Sequence, residues 1–441
     1  MHPNSIDGVI EDSPGKGLFG VARTAFTDPQ VFEEEMRRIF EGTWVYLAHE
    51  SQLPDAGDFL VVSIGRKSVV LVRGKDGAIG AFYNACAHRG AAVCRTERGN
   101  RKFLVCPYHG WAYDLDGRNI NVNEQASGGY SEDFLGESHD LTPIARFGSY
   151  RGFLFGSVSA DVPPLEEHLG DASAFIDLLV DQSPQGLEVL KGNATYRYRG
   201  NWKLQSENGI DGYHFGQVHQ NYVKVLQHRG QRERESGQAA KTRSGFDGDE
   251  WGAETGWYDL GNGHAVIWLN IMGYEGRPLW ETRDEITARL GSGRADWLLR
   301  RQRNLQVFPN VQLMDQNSTQ IRVFRPLAVD LTEVRIYCFA PKGESPRARE
   351  RRIRQYEDFF NCSGMATPDD LAVFESVQAG CNANGGSLQR FDRGLGRPAA
   401  ETDARTRALG IRPVAEGRDV QDENIYVGLY REWARLMEKG S

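Results

Sequence analysis

Residues 28 to 41 place Val31, Met36, Ile39 and Phe40 near helical spacing, behind Asp28 as a cap and Pro29 in the first turn, so a short amphipathic helix is expected there. From about Trp44 to Phe155 the pattern changes to short β-rich runs, such as Asp58 to Ile64, Ser68 to Arg73 and Lys102 to Cys106, separated by Gly-rich or Asp-Gly turns. That stretch predicts a small all-β module. Val162-Pro163-Pro164-Leu165-Glu166-Glu167 marks a linker, after which a strand over Ala194 to Arg199 and a helical run from about Trp202 to Val218 open a second, larger region. Gln312 to Pro326 and Glu333 to Pro341 read as two long strands joined at Val329 to Thr332, and Pro346 to Phe360 reads as a charged helix.

The chain has 441 residues, 40% of them hydrophobic and 25% charged, which fits folded domains and more than one of them. Lysine and arginine number 52 against 60 acids, a net charge of −8 that argues against a partner held by nucleic-acid phosphates. Residues Met1 to Asp7 lack the basic and apolar regions of a secretory signal, and no apolar run reaches the roughly 20 residues of a membrane span, so a cytoplasmic protein is expected. Six cysteines are too few for a disulfide scaffold of this length, and the clustered ones are better read as ligands.

Cys86-Ala87-His88 and Cys106-Pro107-Tyr108-His109 supply two thiolates and two imidazoles, with 17 residues between His88 and Cys106. In a Rieske [2Fe-2S] centre two cysteines bind one iron and two histidines the other. A tetrahedral Cys2His2 zinc site uses the same donors, and ligand identity alone leaves the two readings level. Cys94 lies between the loops at neither spacing and reads as a small buried hydrophobe.

A second constellation lies in Glu207-Asn208-Gly209-Ile210-Asp211-Gly212-Tyr213-His214, followed five residues later by His219. On an ideal helix Glu207, Asp211, His214 and Val218 share a face while His219 falls about 140° from His214, so joint ligation needs local unwinding, which Gly212 and Gly216 would ease. Two histidines and one carboxylate form the facial triad of non-haem Fe(II) oxygenases. The third ligand could be an acid of this segment or one of Asp369 and Asp370. In Thr367-Pro368-Asp369-Asp370, however, a Thr N-cap, Pro at the first position and acids in the first turn are also what a helix start favours.

The loops Cys86-Ala87-His88-Arg89-Gly90 and Cys106-Pro107-Tyr108-His109-Gly110-Trp111, followed about a hundred residues later by Glu-Asn-x-x-Asp-x-Tyr-His-x4-His, resemble the large (α) subunit of Rieske non-haem iron ring-hydroxylating dioxygenases. Tyr150 to Ser157, Val180 to Pro184, Gly186 to Leu190 and Gln355 to Asn361 look like its benzoate, toluate and anthranilate branch. The resemblance implies an α+β fold, with an all-β Rieske domain over 42–155 inserted in a larger catalytic domain of 1–41 and 156–441, where helices flank an antiparallel sheet. It assigns Cys86, His88, Cys106 and His109 to the cluster, His214, His219 and Asp370 to mononuclear iron, Asp211 to the electron bridge between centres, and Asn208 to the same cavity.

The activity so implied is addition of both atoms of O2 to an aromatic carboxylate, giving a cis-dihydrodiol or catechol. Electrons would come from NADH through a separate flavin and iron-sulfur reductase. An α3 or α3β3 ring with a small β subunit is implied, because electrons cross between neighbouring chains in this family. The substrate pocket is expected along the strand Gly263 to Met272, with Arg322 or Arg325 meeting the carboxylate. Monooxygenation or demethylation of an aromatic acid is the chemical alternative. A zinc-stabilised binding protein and a pure electron carrier are the alternatives of other classes.

Overall fold

The computed structural model describes residues 8–235, 254–270, 273–316, 319–398 and 403–438. The chain forms two compact units, Met36–Leu165 on the one hand, and Met1–Glu35 with Glu166–Ser441 on the other.

The smaller unit is built of small antiparallel sheets. One runs Ile79–Tyr83, Lys67–Arg73, Asp58–Ile64, Arg98–Asn100; a second runs Asn119–Asn121, Ala112–Tyr113, Leu104–Val105; a third runs Arg146–Tyr150, Phe153–Ser157, Val45–His49. Val69, Val70, Leu71 and Val72 are all buried because their strand separates two cores. Alternation sends Val70 and Val72 into the core that holds Phe82, Trp111 and Cys86, and Val69 and Leu71 into the one that holds Leu47, Leu60 and Leu154.

In the larger unit nine strands form one antiparallel sheet. In chain order they are β1 (Leu187–Val189), β2 (Ala194–Tyr198), β3 (Thr255–Gly261), β4 (His264–Asn270), β5 (Arg301–Val307), β6 (Val311–Asp315), β7 (Thr319–Ala328), β8 (Leu331–Pro341) and β9 (Ala415–Gly417). Strands β1 and β2 both pair with β8, and the sheet continues β7, β6, β5, β4, β3, β9. Residues directly opposite in such a sheet share a face. Ile267, Asn304 and Met314 lie in one such row, and Gln312, Arg322 and Ile336 in another on the same face. The reverse face carries Trp268, which packs on Trp297 of the long helix Arg283–Arg300.

Two expected elements differ. The stretch Gln312 to Pro326 is not one strand but the hairpin β6–β7, and the run of polar residues from Asp315 to Gln320 that interrupts the apolar pattern is the local sign of the reversal. The helical run from Trp202 to Val218 is broken into α1 (Trp202–Asn208) and α2 (Phe215–Val218), with α3 (Gln220–Glu235) following. The last two residues of the expected pocket strand, Ile271 and Met272, lie outside the described residues, as do Met1 to Asp7. No helix among the described residues is long and apolar enough to cross a membrane.

Helix α1 starts at Asn201, whose side chain accepts from the Lys203 amide at 3.1 Å. It is anchored by a fully buried carboxylate. Glu35 takes the Lys203 ammonium at 2.5 Å and the indole N–H groups of Trp202 at 2.9 Å and Trp433 at 2.8 Å. A buried pair that loses one partner leaves an uncompensated charge, so Glu35→Gln is expected to destabilise this unit by about 3 kcal/mol, with part of the loss regained in Glu35→Gln/Lys203→Met. Denaturant titration followed by tryptophan fluorescence checks both.

Candidate functional site

The two Cys-His loops of the smaller unit close in the same way. The Cys86 amide donates to Ala91 O and the Gly90 amide to Cys86 O, both at 2.9 Å; the Cys106 amide donates to Trp111 O at 2.8 Å and the Gly110 amide to Cys106 O at 3.1 Å. Each turn needs a left-handed residue at its fifth position, and Gly90 and Gly110 have φ of 72° and 77°. The equivalent turns set both thiols inward and both imidazoles outward: Cys86 and Cys106 are buried, His88 is exposed and His109 half-buried. The two rings lie 4.7 Å apart, and His88 stacks on Trp111. Burial raises the Cys86 thiol pKa against the opposing pull of its 3.1 Å contact with the Tyr113 hydroxyl. Two inward thiols facing two outward imidazoles fit the asymmetric donor set of a Rieske cluster.

Cys94 sits apart. Its backbone is clamped by Asn84, which donates to Cys94 O at 2.8 Å and accepts from its amide at 2.9 Å, and burial pushes its thiol up to about 11.

In the larger unit the break after α1 produces the second cluster. Gly209 lies so close to the sheet that a Cβ would fall 1.9 Å from Gln312 Nε2, and a Cβ on Gly212 would fall 2.4 Å from Val420 O. Gly212 therefore serves close approach, whereas Gly216 has open space around it and no such need. Across the break Asp211 makes a turn of its own, its Oδ1 accepting from the amides of Tyr213 at 2.7 Å and His214 at 3.2 Å. Glu207 leaves the face expected of it, reaches the Tyr430 hydroxyl, and is pushed by burial up to about 8.

His214 then heads α2 and His219 follows its last turn. Their Nε2 atoms lie 3.5 and 3.2 Å from Asp370 Oδ1, and these three side chains form a group whose donor atoms all fall within 4.8 Å. Asp211 Oδ2 lies 3.3 Å from the other nitrogen of His214, and Asn208 Nδ2 donates to Asp370 Oδ1 at 3.2 Å. Burial raises Asp370, but the hydrogen bond from His219 and the charges around it, Arg322 included, bring its pKa below the ordinary value. Burial likewise opposes charge on His214, and Asp211 and Asp370 outweigh it, so that pKa is raised. The three-donor arrangement fits one metal ion with positions left open.

Thr367 is not the helix cap: its hydroxyl donates to Phe360 O at 3.0 Å, and Asp370 turns inward to 6% exposure while Asp369 stays near the surface. Above the donors opens a cavity with about 510 Å3 of empty space, its mouth included. Ile267 and Leu269 of the expected strand line it, as do Asn304, Met314, Phe359 and Phe360, which the sequence reading did not single out. The local sign available for Asn304 is a row of amides, Gln302, Asn304 and Gln306, buried on one face of β5. Arg325 is engaged elsewhere, on Glu333 at 2.9 Å. His264 is also accounted for: Nδ1 accepts from the Phe308 amide at 2.9 Å and Nε2 faces His168 O at 2.8 Å.

Residues 43–138 match the Rieske [2Fe-2S] domain, and residues 188–439 match the ring-hydroxylating alpha subunit catalytic domain. The chain belongs to the ring-hydroxylating dioxygenase alpha-subunit family. It is 46% identical to the toluate 1,2-dioxygenase alpha subunit of Pseudomonas putida, over 98% of this chain and 94% of that one. It is 44% identical to the 2-halobenzoate 1,2-dioxygenase large subunit of Burkholderia cepacia, over 99% and 93%. Naphthalene 1,2-dioxygenase from Rhodococcus sp. shares the fold at a TM-score of 0.80 and 25% identity, over 96% of this chain and 95% of that one.

As a ring-hydroxylating alpha subunit the protein carries a Rieske cluster and a mononuclear iron, and works with O2, an aromatic substrate and electrons drawn from NADH by a separate reductase. The zinc-stabilised binding protein and the pure electron carrier are not favoured. The geometry predicts that Cys106→Ala loses the visible cluster and about two irons per chain, while Cys94→Ala keeps both. Iron and acid-labile sulfide assays on the purified variants check this.

Proposed function

We propose that this chain is the oxygenase component that adds both atoms of O2 to an aromatic carboxylate such as benzoate, anthranilate or a substituted benzoate, giving a cis-dihydrodiol or catechol. The observation that carries the reading is the convergence of His214, His219 and Asp370 on one point beneath an apolar cavity, in a chain so similar to dioxygenases of toluate and halobenzoate.

In this reading Cys86, His88, Cys106 and His109 hold the [2Fe-2S] cluster, and His214, His219 and Asp370 hold the mononuclear iron. Bound there, the two centres supply single electrons and O2 activation. The rest falls to the protein. Asp211, through the other nitrogen of His214, orients that ring and forms the bridge by which electrons arrive. Asn208 holds the Asp370 carboxylate by its amide N–H. Phe359, Phe360 and Met314 keep water from the reacting ring and fix its plane. The donor is an NADH-dependent flavin and iron-sulfur reductase, and the assembly an α3 or α3β3 ring in the cytoplasm.

Anaerobically purified protein should contain about three irons per chain and give a Rieske signal in low-temperature EPR after dithionite. With reductase, NADH and 18O2 it should place two labelled atoms on the ring of a benzoate. A single labelled atom would overturn dioxygenation in favour of monooxygenation, and a colourless zinc protein would overturn the oxygenase reading.

His214→Ala and Asp370→Ala are expected to lose the mononuclear iron and all turnover while the cluster spectrum stays as in the parent. Loss of the cluster as well would show that these residues act through the fold, and metal analysis beside visible spectroscopy distinguishes the two.

A further inference from the structure

Resting on the aromatic-carboxylate reading above, we propose that Arg322 receives the substrate carboxylate, and is therefore the side chain that selects acids over neutral arenes. It stands mid-way along β7, between Gln312 of β6 and Ile336 of β8, on the sheet face that bears the cavity. The residue is 2% exposed and lines the same cavity as His214, His219 and Asp370. The Phe360 ring covers its guanidinium at 5.5 Å.

Its Nε and Nη2 are both buried, with no hydrogen-bond partner among the described residues. Other buried arginines of this unit have a carboxylate. Arg277 and Arg303 share Asp315, and Arg352 bonds Glu344. A permanent charge taken from water with its donors unmet is costly, and a site built to bond an incoming group is where such donors belong.

The chemistry of the unmet pair is specific. Nε–H and one N–H of Nη2 run side by side along one edge of the guanidinium, and that edge takes both oxygens of a carboxylate at once. Phe360 stacks over the charge and Ile267, Leu269 and Met314 offer the apolar wall a benzene ring requires.

The test uses holoenzyme with its reductase, and benzoate and benzamide as a charged and an uncharged probe of one shape. Arg322→Gln is expected to weaken the anaerobic calorimetric Kd for benzoate about 100-fold and to raise KM in step. Its iron content and cluster spectrum should stay as in the parent, and its loss of kcat/KM should be at least about tenfold smaller for benzamide than for benzoate. Arg322→Lys, which keeps the charge and loses the fork, should fall between, and Arg325→Gln should match the parent.

A parent enzyme active on aromatic acids whose Arg322→Gln variant binds benzoate as before, or loses benzoate and benzamide alike, overturns this assignment alone. A parent that turns over neutral arenes and no acid overturns the function reading and the assignment with it. Should Arg322→Gln fail to retain iron, Arg322→Lys decides: about tenfold weaker benzoate binding supports the assignment, and an unchanged Kd overturns it.

Discussion

The backbone at Gly209 rests against the side-chain amide of Gln312, and the placing of Asp211 and His214 in the larger unit depends on that contact. Gln312 Nε2 donates to Gln205 O at 2.8 Å, Ser206 O at 3.1 Å and Gln306 Oε1 at 2.8 Å, so it takes up Ser206 O, which the end of α1 leaves without an amide, and adds to the bond that Gln205 O accepts from the Gly209 amide at 3.3 Å. With those carbonyls satisfied, the helix can stop on the sheet. The irregular turn that follows brings Asp211 and His214 together, and the pinch of Gly212 against Val420 holds it from the other side. Between the two histidines the chain itself stays helical, with the Val218 amide donating to His214 O at 2.8 Å and the His219 amide to Phe215 O at 3.1 Å, so the two rings reach Asp370 from the two ends of one helical turn.

The two donor clusters treat burial in opposite ways, each suited to its role. In the smaller unit the thiols of Cys86 and Cys106 are inside and the imidazoles of His88 and His109 reach the surface, so a cluster held by these four side chains would present its histidine edge to a partner. In the larger unit His219 and Asp370 are buried and His214 nearly so, under an apolar cavity. A low-dielectric enclosure strengthens the hold of Asp211 on His214 and keeps water from competing with a ring substrate. Relay calls for an accessible centre and oxidation of a bound ring for a sheltered one.

Much of this was legible in the residues, for identifiable reasons. The paired Cys-His loops carry their own turn chemistry, since Gly90 and Gly110 are required by the same backbone bend that aims the ligands. The histidine motif was equally local, although the unwinding expected between His214 and His219 is not found: the chain between them keeps its helical hydrogen bonds, and the break falls before His214. What stayed hidden depended on contacts distant in sequence. The turn between β6 and β7 is the exception, since the polar run Asp315 to Gln320 interrupts the alternation and marks it locally. The first-turn acids at 369 and 370 suited a helix start whether or not one of them faced a metal, and only the inward rotation of Asp370 separates the two cases. Phe359, Phe360 and Val420 meet in the cavity from segments some sixty residues apart, and no local pattern marks them.

The charge balance of the cavity bears on which substrate it holds. Glu207, pushed up to about 8, is mostly neutral near pH 7, which leaves Asp370 and Asp211 as the ionised acids nearest the histidines. Asp369 lies 4.0 Å from His219 Nδ1 as a third, more exposed acid, so the unmet demand in the cavity is local to the guanidinium edge of Arg322. An aromatic acid brings one negative charge, and brings it to the end of the cavity where two guanidinium N–H groups stand unbonded. The proposed preference for an acid then rests on Arg322 as the point at which the charge is received and on the apolar wall as the reason the rest of the substrate is a ring.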